Sequence, residues 1–229
     1  MVTISIIREF RRDERRAPLS PNHIKILKEH YPDLQILVQP SKIRCFNDKK
    51  YEQNGALIQE DISKSDLILG VKEIEPNLLI QSKSYMFFSH TSKIQADNSA
   101  AAQGTPGMDK KELLKEILMK KITLIDYENI RDNLSRRYLG FGRFAGIVGC
   151  YNSLNLYLQT MNQKPMPRAH ELDSYKKLKE NISERNFGNA RIIITGDGRV
   201  ARGSLEFLEC ANIRKVSSDE FLQNNNSSA

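Results

Sequence analysis

Two short apolar runs of this chain are each followed at once by side chains that can move protons. Leu67–Val71 is followed by Lys72 and Glu73, and Tyr85–Phe88 is followed one residue later by His90. An amine and an imidazole can act as an acid–base pair near neutral pH, because a partly buried lysine beside other cations holds its proton less tightly and histidine already titrates there. On spacing alone, however, a solvated lysine and a satisfied loop histidine are the favoured interpretation.

Other charged residues near predicted strand ends are candidates for binding a substrate. Glu128 follows an apolar run, where it is either a counter-charge in a site or a helix cap. An arginine in the rigid proline-containing loop at 14–21 either clamps a substrate carboxylate bidentately or belongs to an exposed basic turn. Lys93 comes three residues after His90 and adds a further cation to the substrate-binding candidates.

Residues 196–201, GDGRVA, fit the dinucleotide fingerprint G-x-G-x-x-A. Gly196 permits a tight turn, Gly198 lets the backbone approach a pyrophosphate, and Ala201 keeps the next helix close to its strand. Val200 is predicted to begin a buried helical stripe, and free N–H groups at the start of that helix favour phosphates. Arg199 suits a 2′-phosphate, so NAD and NADP both remain open, and an ordinary glycine turn is the alternative.

The elements that must position these residues alternate between strand-like and helical patterns. This alternation predicts an α/β fold with βα units and a Rossmann-like, largely parallel sheet. Functional groups of such sheets gather at the carboxyl ends of the strands. The predicted strands are Thr3–Ile7, Leu34–Val38, Leu67–Val71, Tyr85–Phe88 and Thr123–Tyr127, and the predicted helices are Pro21–His30, Lys49–Asn54 and Lys110–Lys120.

Three regions are predicted along the chain. Residues 1–135 form a substrate domain, 136–187 a connecting helix and linker, and 188–229 the first βα unit of a dinucleotide-binding domain with a buried strand at 192–194. A complete dinucleotide domain needs several more βα units, so we expect the chain to be the front part of a larger enzyme. Small and polar residues predict a surface insertion at 96–107 and a disordered tail at 223–229.

Composition narrows the class of protein. The 229 residues are 39% hydrophobic, which is enough for a folded core, and 35 basic against 28 acidic residues give a net charge of +7. This charge suits an anionic small ligand. A nucleic-acid partner is not indicated, because the sequence has no basic stripe interleaved with aromatic residues. No apolar run reaches the roughly 18 residues of a membrane span. Three widely spaced cysteines show no metal-ligand pattern and indicate a reducing compartment.

Several ordered motifs together resemble the lysine-2-oxoglutarate reductase module of alpha-aminoadipic semialdehyde synthase and the lysine-forming saccharopine dehydrogenases, which are distant relatives of alanine dehydrogenase. The resemblance covers nearly all of residues 3–222 apart from 96–107. It implies the interconversion of lysine plus 2-oxoglutarate and saccharopine with NAD or NADP. The motifs are RRAPLSP at 15–21, the segment 37–63, LILGVKE at 67–73, FFSHTSKIQ at 87–95, LIDYE at 124–128 and GFGRFAGIVG at 140–149.

The resemblance also implies residue roles. It favours a catalytic role for Lys72 and His90 over the solvated lysine and loop histidine that spacing alone favoured. Lys72 and His90 are expected to carry proton transfers, Arg16 to hold a substrate carboxylate, and Glu73 and Glu128 to tune the charge of the cluster. A homo-oligomer or a fusion to a second dehydrogenase module is expected, in the cytoplasm or the mitochondrial matrix. An alanine dehydrogenase type of activity and a non-catalytic regulatory or binding remnant remain the alternatives.

Overall fold

A computed structural model describes residues 1–94, 109–188 and 190–223. The chain divides into two compact units, residues 1–139 and 140–229. The predicted insertion at 96–107 and nearly all of the predicted disordered tail lie outside the described residues.

The first unit is built on one six-stranded sheet in which every pair of neighbouring strands is parallel. The strand order is β3-β2-β1-β4-β5-β6. This sheet confirms the predicted α/β, Rossmann-like fold and adds β3, which is too short to show a pattern in the sequence. The strands are β1 Thr3–Ile6, β2 Gln35–Val38, β3 Leu57–Ile58, β4 Leu67–Leu69, β5 Ser84–Phe87 and β6 Thr123–Asp126.

Helices α1 (Pro21–His30), α2 (Asp48–Glu52) and α3 (Lys110–Met119) follow their strands as predicted. Successive strand residues enter two separate apolar cores, as Ile36 and Leu37 of β2 do, because successive side chains point to opposite faces of a sheet. One core includes residues of α1 and α2, and the other includes residues of α3. The sheet is therefore covered on both faces and gives the loops at its carboxyl edge a fixed support.

The second unit is helical in the part that the structure describes. Its helices are α4 (Gly142–Thr160), α5 (Tyr175–Ser183), α6 (Arg199–Leu208) and α7 (Ser218–Gln223). Residues of α4, α5 and α6 share one apolar core, so the helix predicted as a connector is an integral part of this unit. None of the described helices is long and apolar enough to cross a membrane.

Helices α4 and α6 cross with their backbones in direct contact. A Cβ atom on Gly146 of α4 would lie 2.0 Å from the Val200 carbonyl oxygen, and one on Gly203 of α6 would lie 2.0 Å from the Arg143 carbonyl oxygen. Only glycine, which has no Cβ, permits this approach from both sides. By contrast, a Cβ on Gly149 of α4 would meet nothing within 4 Å.

Two details predicted for the second unit are wrong. Residues 191–197 form no strand, and Ile193 is 70% exposed rather than buried. A strand must pair its backbone groups with a neighbour, and no described segment of this unit pairs with residues 191–197. Val200 does not begin a buried stripe, because its side chain is 53% exposed while its backbone carbonyl faces Gly146.

Candidate active site

The sheet topology brings the loops that carry the predicted site residues to one edge. Strands β1, β4, β5 and β6 are consecutive neighbours, and all of them are parallel. The loops at their carboxyl ends carry Arg16 after β1, Lys72 and Glu73 after β4, His90 after β5 and Glu128 after β6. Open α/β sheets bind ligands at this edge.

His90 lies between two buried carboxylates. Its Nδ1 is 3.0 Å from Glu128 Oε2, at hydrogen-bond distance, and its Nε2 is 3.8 Å from Glu73 Oε1. Both glutamate side chains are 4% exposed, whereas the histidine is 23% exposed and reaches solvent. The Phe88 ring stacks on the His90 imidazole, with a distance of 6.3 Å between the ring centroids. The imidazole therefore has a fixed orientation and an accessible edge, which suits proton exchange with a bound molecule.

A buried aspartate, Asp126 at the end of β6, holds both loops that form this contact. One of its oxygens accepts the backbone N–H of Glu128 at 2.8 Å, and the other accepts the hydroxyl of Ser89. Ser89 directly precedes His90, so the Asp126 carboxylate holds the chain beside His90 as well as the backbone of Glu128. Sequence reasoning missed this role, although the position of Asp126 at a strand end was a usable signal.

Glu128 has a second side-chain partner, the guanidinium of Arg137. Its Oε1 lies 3.2 Å from a terminal nitrogen of Arg137, whose side chain is 42% exposed. A short antiparallel bridge between Arg131 and Arg137 returns the chain toward the site. Neither strand periodicity nor helical periodicity marks Arg137, so the sequence alone did not indicate it.

Arg16 is held by a carboxylate from its own loop. Glu14 is buried and accepts the Nε–H of Arg16 at 2.7 Å, a second guanidinium N–H, and the backbone N–H of Arg16 at 3.0 Å. Burial acts to raise the pKa of Glu14, but these hydrogen bonds outweigh it, and the pKa lies below its ordinary value. The arginine is thus already oriented, with 42% of its side chain exposed.

Lys72 is fixed through its backbone. Its N–H donates to Glu9 Oε2 at 3.0 Å, and the N–H of Val71 donates to Glu9 Oε1 at 2.7 Å. The Lys72 ammonium interacts electrostatically with the carboxylates of Asp13 and Glu14, which come from the loop after β1. Burial raises the pKa of Glu9 to about 7 despite the two backbone hydrogen bonds. Sequence reasoning missed Glu9, although it lies just beyond an apolar strand, as Lys72 does.

Lys93 ends a short 3-10 helix, Thr91–Lys93, whose first residue follows His90. His90 itself has a positive φ of 54°, so the backbone turns sharply between the strand and this helix. The side chain of Lys93 lies outside the described part of the structure. Its predicted contact with a substrate therefore remains a prediction.

The glycine loop of the second unit combines a left-handed glycine with the start of a helix. Gly196 has a positive φ of 83°, and Gly198 is the N-cap of α6 without a side-chain cap. A Cβ on either glycine would meet nothing within 4 Å, so the approach to the helix N-terminus is open. Arg199 lies against Gly140, with a guanidinium nitrogen 3.5 Å from the Cβ position of that glycine. These residues fit the phosphate end of a dinucleotide. The described residues contain no group of three or more His, Cys, Asp or Glu that could hold a metal ion.

A model of the N-terminal domain shared by alanine dehydrogenase and PNT matches residues 5–148 of the chain. An L-alanine dehydrogenase structure superimposes with a TM-score of 0.64, covering 99% of this chain and 59% of that chain. Because only 16% of the aligned residues are identical, this likeness shows the fold alone.

Curated relatives carry names from lysine metabolism. The chain is 34% identical over 231 residues to the mitochondrial alpha-aminoadipic semialdehyde synthase of Mus musculus, covering 89% of this chain and 23% of the relative. It is 38% identical over 146 residues to the synthase of Arabidopsis thaliana, covering 62% of this chain and 13% of the relative. The saccharopine dehydrogenase [NAD(+), L-lysine-forming] of Neurospora crassa is 27% identical to the chain over 217 residues, covering 87% of this chain and 54% of the relative. The chain thus spans about a quarter of the mouse protein.

Proposed function

Since the chain belongs to the alanine dehydrogenase/PNT N-terminal domain family, we propose that it is the substrate-binding part of a nicotinamide-dependent oxidoreductase of lysine metabolism. In the proposed reaction the ε-amine of lysine condenses with the ketone of 2-oxoglutarate, water leaves, and hydride reduces the resulting imine to saccharopine. The similarity to synthases and saccharopine dehydrogenases supports this reaction. The observation that carries it is His90 between Glu73 and Glu128 at the carboxyl edge of the sheet.

Proton transfer is assigned to His90 and Lys72. The condensing amine must lose a proton, and the carbinol hydroxyl must gain one before it leaves as water. Glu128 orients the His90 ring through Nδ1, so the edge carrying Nε2 is the one available for exchange with substrate. Glu73 lies near the same nitrogen and balances the charge that appears on the ring. Lys72, on the adjacent loop, supplies a second group that can take or give a proton.

Substrate carboxylates are assigned to Arg16 and Arg137. Both guanidinium groups are anchored by a buried glutamate, and both side chains are 42% exposed. An arginine has five N–H donors in a planar fork, so it can hold an internal carboxylate and present another edge to a ligand. Lys93 is a further candidate for the same role.

A nicotinamide cofactor, when bound, supplies the hydride for the reduction. The residues of this chain that would hold its pyrophosphate are Gly196, Gly198, Arg199, Val200 and Ala201, through backbone N–H groups at the start of α6. NAD and NADP both fit this assignment. The mammalian relatives are named as mitochondrial proteins, which favours a mitochondrial over a cytoplasmic location, and a homo-oligomer or fusion to a second module remains part of the proposal.

The direct test is absorbance at 340 nm with the purified chain, lysine, 2-oxoglutarate and either NADH or NADPH. Lysine-dependent oxidation supports the proposal and identifies the cofactor. A parallel reaction with ammonia and pyruvate tests the alternative, an alanine dehydrogenase type of activity. Binding of saccharopine to the chain, measured by calorimetry, tests substrate recognition separately. A folded chain that neither turns over nor binds these substrates contradicts the proposal and leaves a regulatory or binding role.

A further inference from the structure

We propose that Glu9 is a positioning residue whose ionised carboxylate holds the backbone of Val71 and Lys72 in place and releases it on protonation. The proposal rests on the proposed function for the role of Lys72, but the hold itself is a property of the first unit and can be measured without turnover.

Glu9 continues the pairing of two strands past the point where their hydrogen-bond ladder ends. Strands β1 and β4 are neighbours, and the N–H of Ile7 still donates to the Leu69 carbonyl at 2.9 Å. Beyond this bond, the two oxygens of Glu9 accept the next two N–H groups of the β4 loop, from Val71 and Lys72. The direction in which the Lys72 side chain leaves the sheet is therefore set by Glu9.

The opposite side of the loop is fixed by the sheet itself. The Val71 carbonyl accepts the N–H of Phe88 at 3.2 Å, and the N–H of Gly70 donates to Met86 at 3.0 Å. Val71 is thus held from β5 through its carbonyl and from Glu9 through its N–H. Glu9 closes the remaining side of this turn, and a Cβ on Gly70 would lie 3.6 Å from its Oε1.

The hold depends on the charge of Glu9. An ionised carboxylate accepts hydrogen bonds from both N–H groups, whereas a protonated one carries a hydrogen on one oxygen and accepts them less strongly. Glu14 and Arg16 face it from its own loop, Tyr127 faces it from the segment after β6, and Arg44 lines the same small cavity from the loop after β2. Burial raises the pKa of Glu9 to about 7, so the carboxylate changes charge near neutral pH.

The consequence concerns the position of Lys72. When Glu9 is ionised, the Lys72 ammonium stands in the field of Asp13 and Glu14 and next to Glu73. When Glu9 is protonated, the loop loses its charged acceptor and Lys72 is less well placed. Glu9 thus adds an acidic limit to the pH range in which the site is assembled.

The test is an NMR titration of the ¹⁵N-labelled full chain between pH 5 and 9. In the wild type, the backbone amides of Val71 and Lys72 are expected to shift together, with a common midpoint near 7. In Glu9→Gln this transition is lost, while Glu29→Gln on the exposed face of α1, the matched control, retains it. Because the first measurement needs no variant, a wild type whose two amides do not titrate near this pH overturns the proposal, as does an unchanged transition in Glu9→Gln.

A kinetic measurement separates positioning from a purely structural role. Glu9→Gln is expected to lower kcat about tenfold with less than a twofold change in KM for lysine, and to remove an acidic limb near pH 7 from the rate profile. An unchanged profile contradicts the proposal. If no variant, the wild type included, turns over or binds the substrates while the amides titrate as expected, the proposed function fails and the positioning by Glu9 stands.

Discussion

His90 Nδ1 lies 3.0 Å from Glu128 Oε2 across a sequence separation of 38 residues. The contact joins the loops that follow β5 and β6, and Asp126 holds the backbone at its Glu128 end and Ser89 at its histidine end. A fixed imidazole beside buried carboxylates is an arrangement that folding alone does not require. Its cost in buried charge supports the proposed proton-transfer role.

Replacing either proposed proton-transfer residue should slow the reaction by orders of magnitude without unfolding the chain. We expect Lys72→Met and His90→Gln each to lower kcat by a factor of about 10² to 10⁴, the usual contribution of general acid–base catalysis. The 340 nm assay measures the rate, and circular dichroism verifies the fold. His30→Gln, on the exposed end of α1, is the control. Wild-type rates in both site variants would refute their assignment.

Removing the Asp126 carboxylate should loosen two loops together. Asp126→Ala leaves the Glu128 N–H and the buried Ser89 hydroxyl without their acceptor, which should cost about 2 kcal/mol of unfolding free energy. Amide hydrogen exchange should accelerate around both Ser89 and Glu128. Ser89→Ala should accelerate exchange only in the loop around residue 89. If exchange in Asp126→Ala accelerates at only one of the two loops, Asp126 does not hold both of them.

The stability of the first unit should fall as pH rises toward 7 because of Glu9. Burial raises its pKa from 4.5 to about 7 in the folded state. Between these values the folded state keeps a proton that the unfolded state has lost, so the free energy of unfolding decreases with pH. The decrease should reach about 1–3 kcal/mol. Urea unfolding from pH 4 to 8 should show this slope in the wild type, and Glu9→Gln should remove that part of it.

The crossing of α4 and α6 should tolerate no side chain at its two glycines. Gly146→Ala and Gly203→Ala each place a methyl group against a backbone carbonyl, and each should destabilise the second unit by about 3 kcal/mol. Gly149→Ala, in the same helix with open space around it, should be neutral or stabilising by about 0.5–1 kcal/mol. Amide hydrogen exchange of α4 residues resolves the difference, and equal protection in all three variants would argue against the close crossing.

Shortening the Arg16 side chain should weaken substrate binding more than folding. In Arg16→Lys the ammonium can still pair with Glu14 but cannot present a planar fork to a second carboxylate. We expect at least a tenfold higher KM for 2-oxoglutarate with a smaller change in kcat. Arg8→Lys, whose partner Glu60 is exposed and lies in another part of the unit, is the control. An unchanged KM in Arg16→Lys would remove Arg16 from the binding site.

Much of the first unit could be predicted from local patterns. Apolar runs and turn residues marked five of the six strands, and parallel topology then placed Lys72, His90 and Glu128 at one edge. Asp126 and Glu9 were missed because their role is to accept backbone N–H groups from other loops, a pairing that no sequence period reveals.

The second unit was harder to predict because its strand signal depends on a partner. The run at 192–194 is apolar enough for a buried strand, yet it pairs with no described segment and Ile193 is exposed. The glycine turn before α6, in contrast, depends on local geometry, and the positive φ of Gly196 agrees with its predicted role in that turn. Local rules therefore succeeded where no distant neighbour was required.

The order of the strands also determines when the site can come into existence during synthesis. Strand β1 pairs with β4 across more than 60 positions, and Glu128 lies near the end of the first unit. A nascent chain that has been synthesised only as far as His90 contains the imidazole but not yet its carboxylate partner, Glu128. Because long-range parallel pairing is slow, the proposed proton-transfer site should form only after β6 has joined the sheet, so a partly made chain carries these side chains without an assembled site.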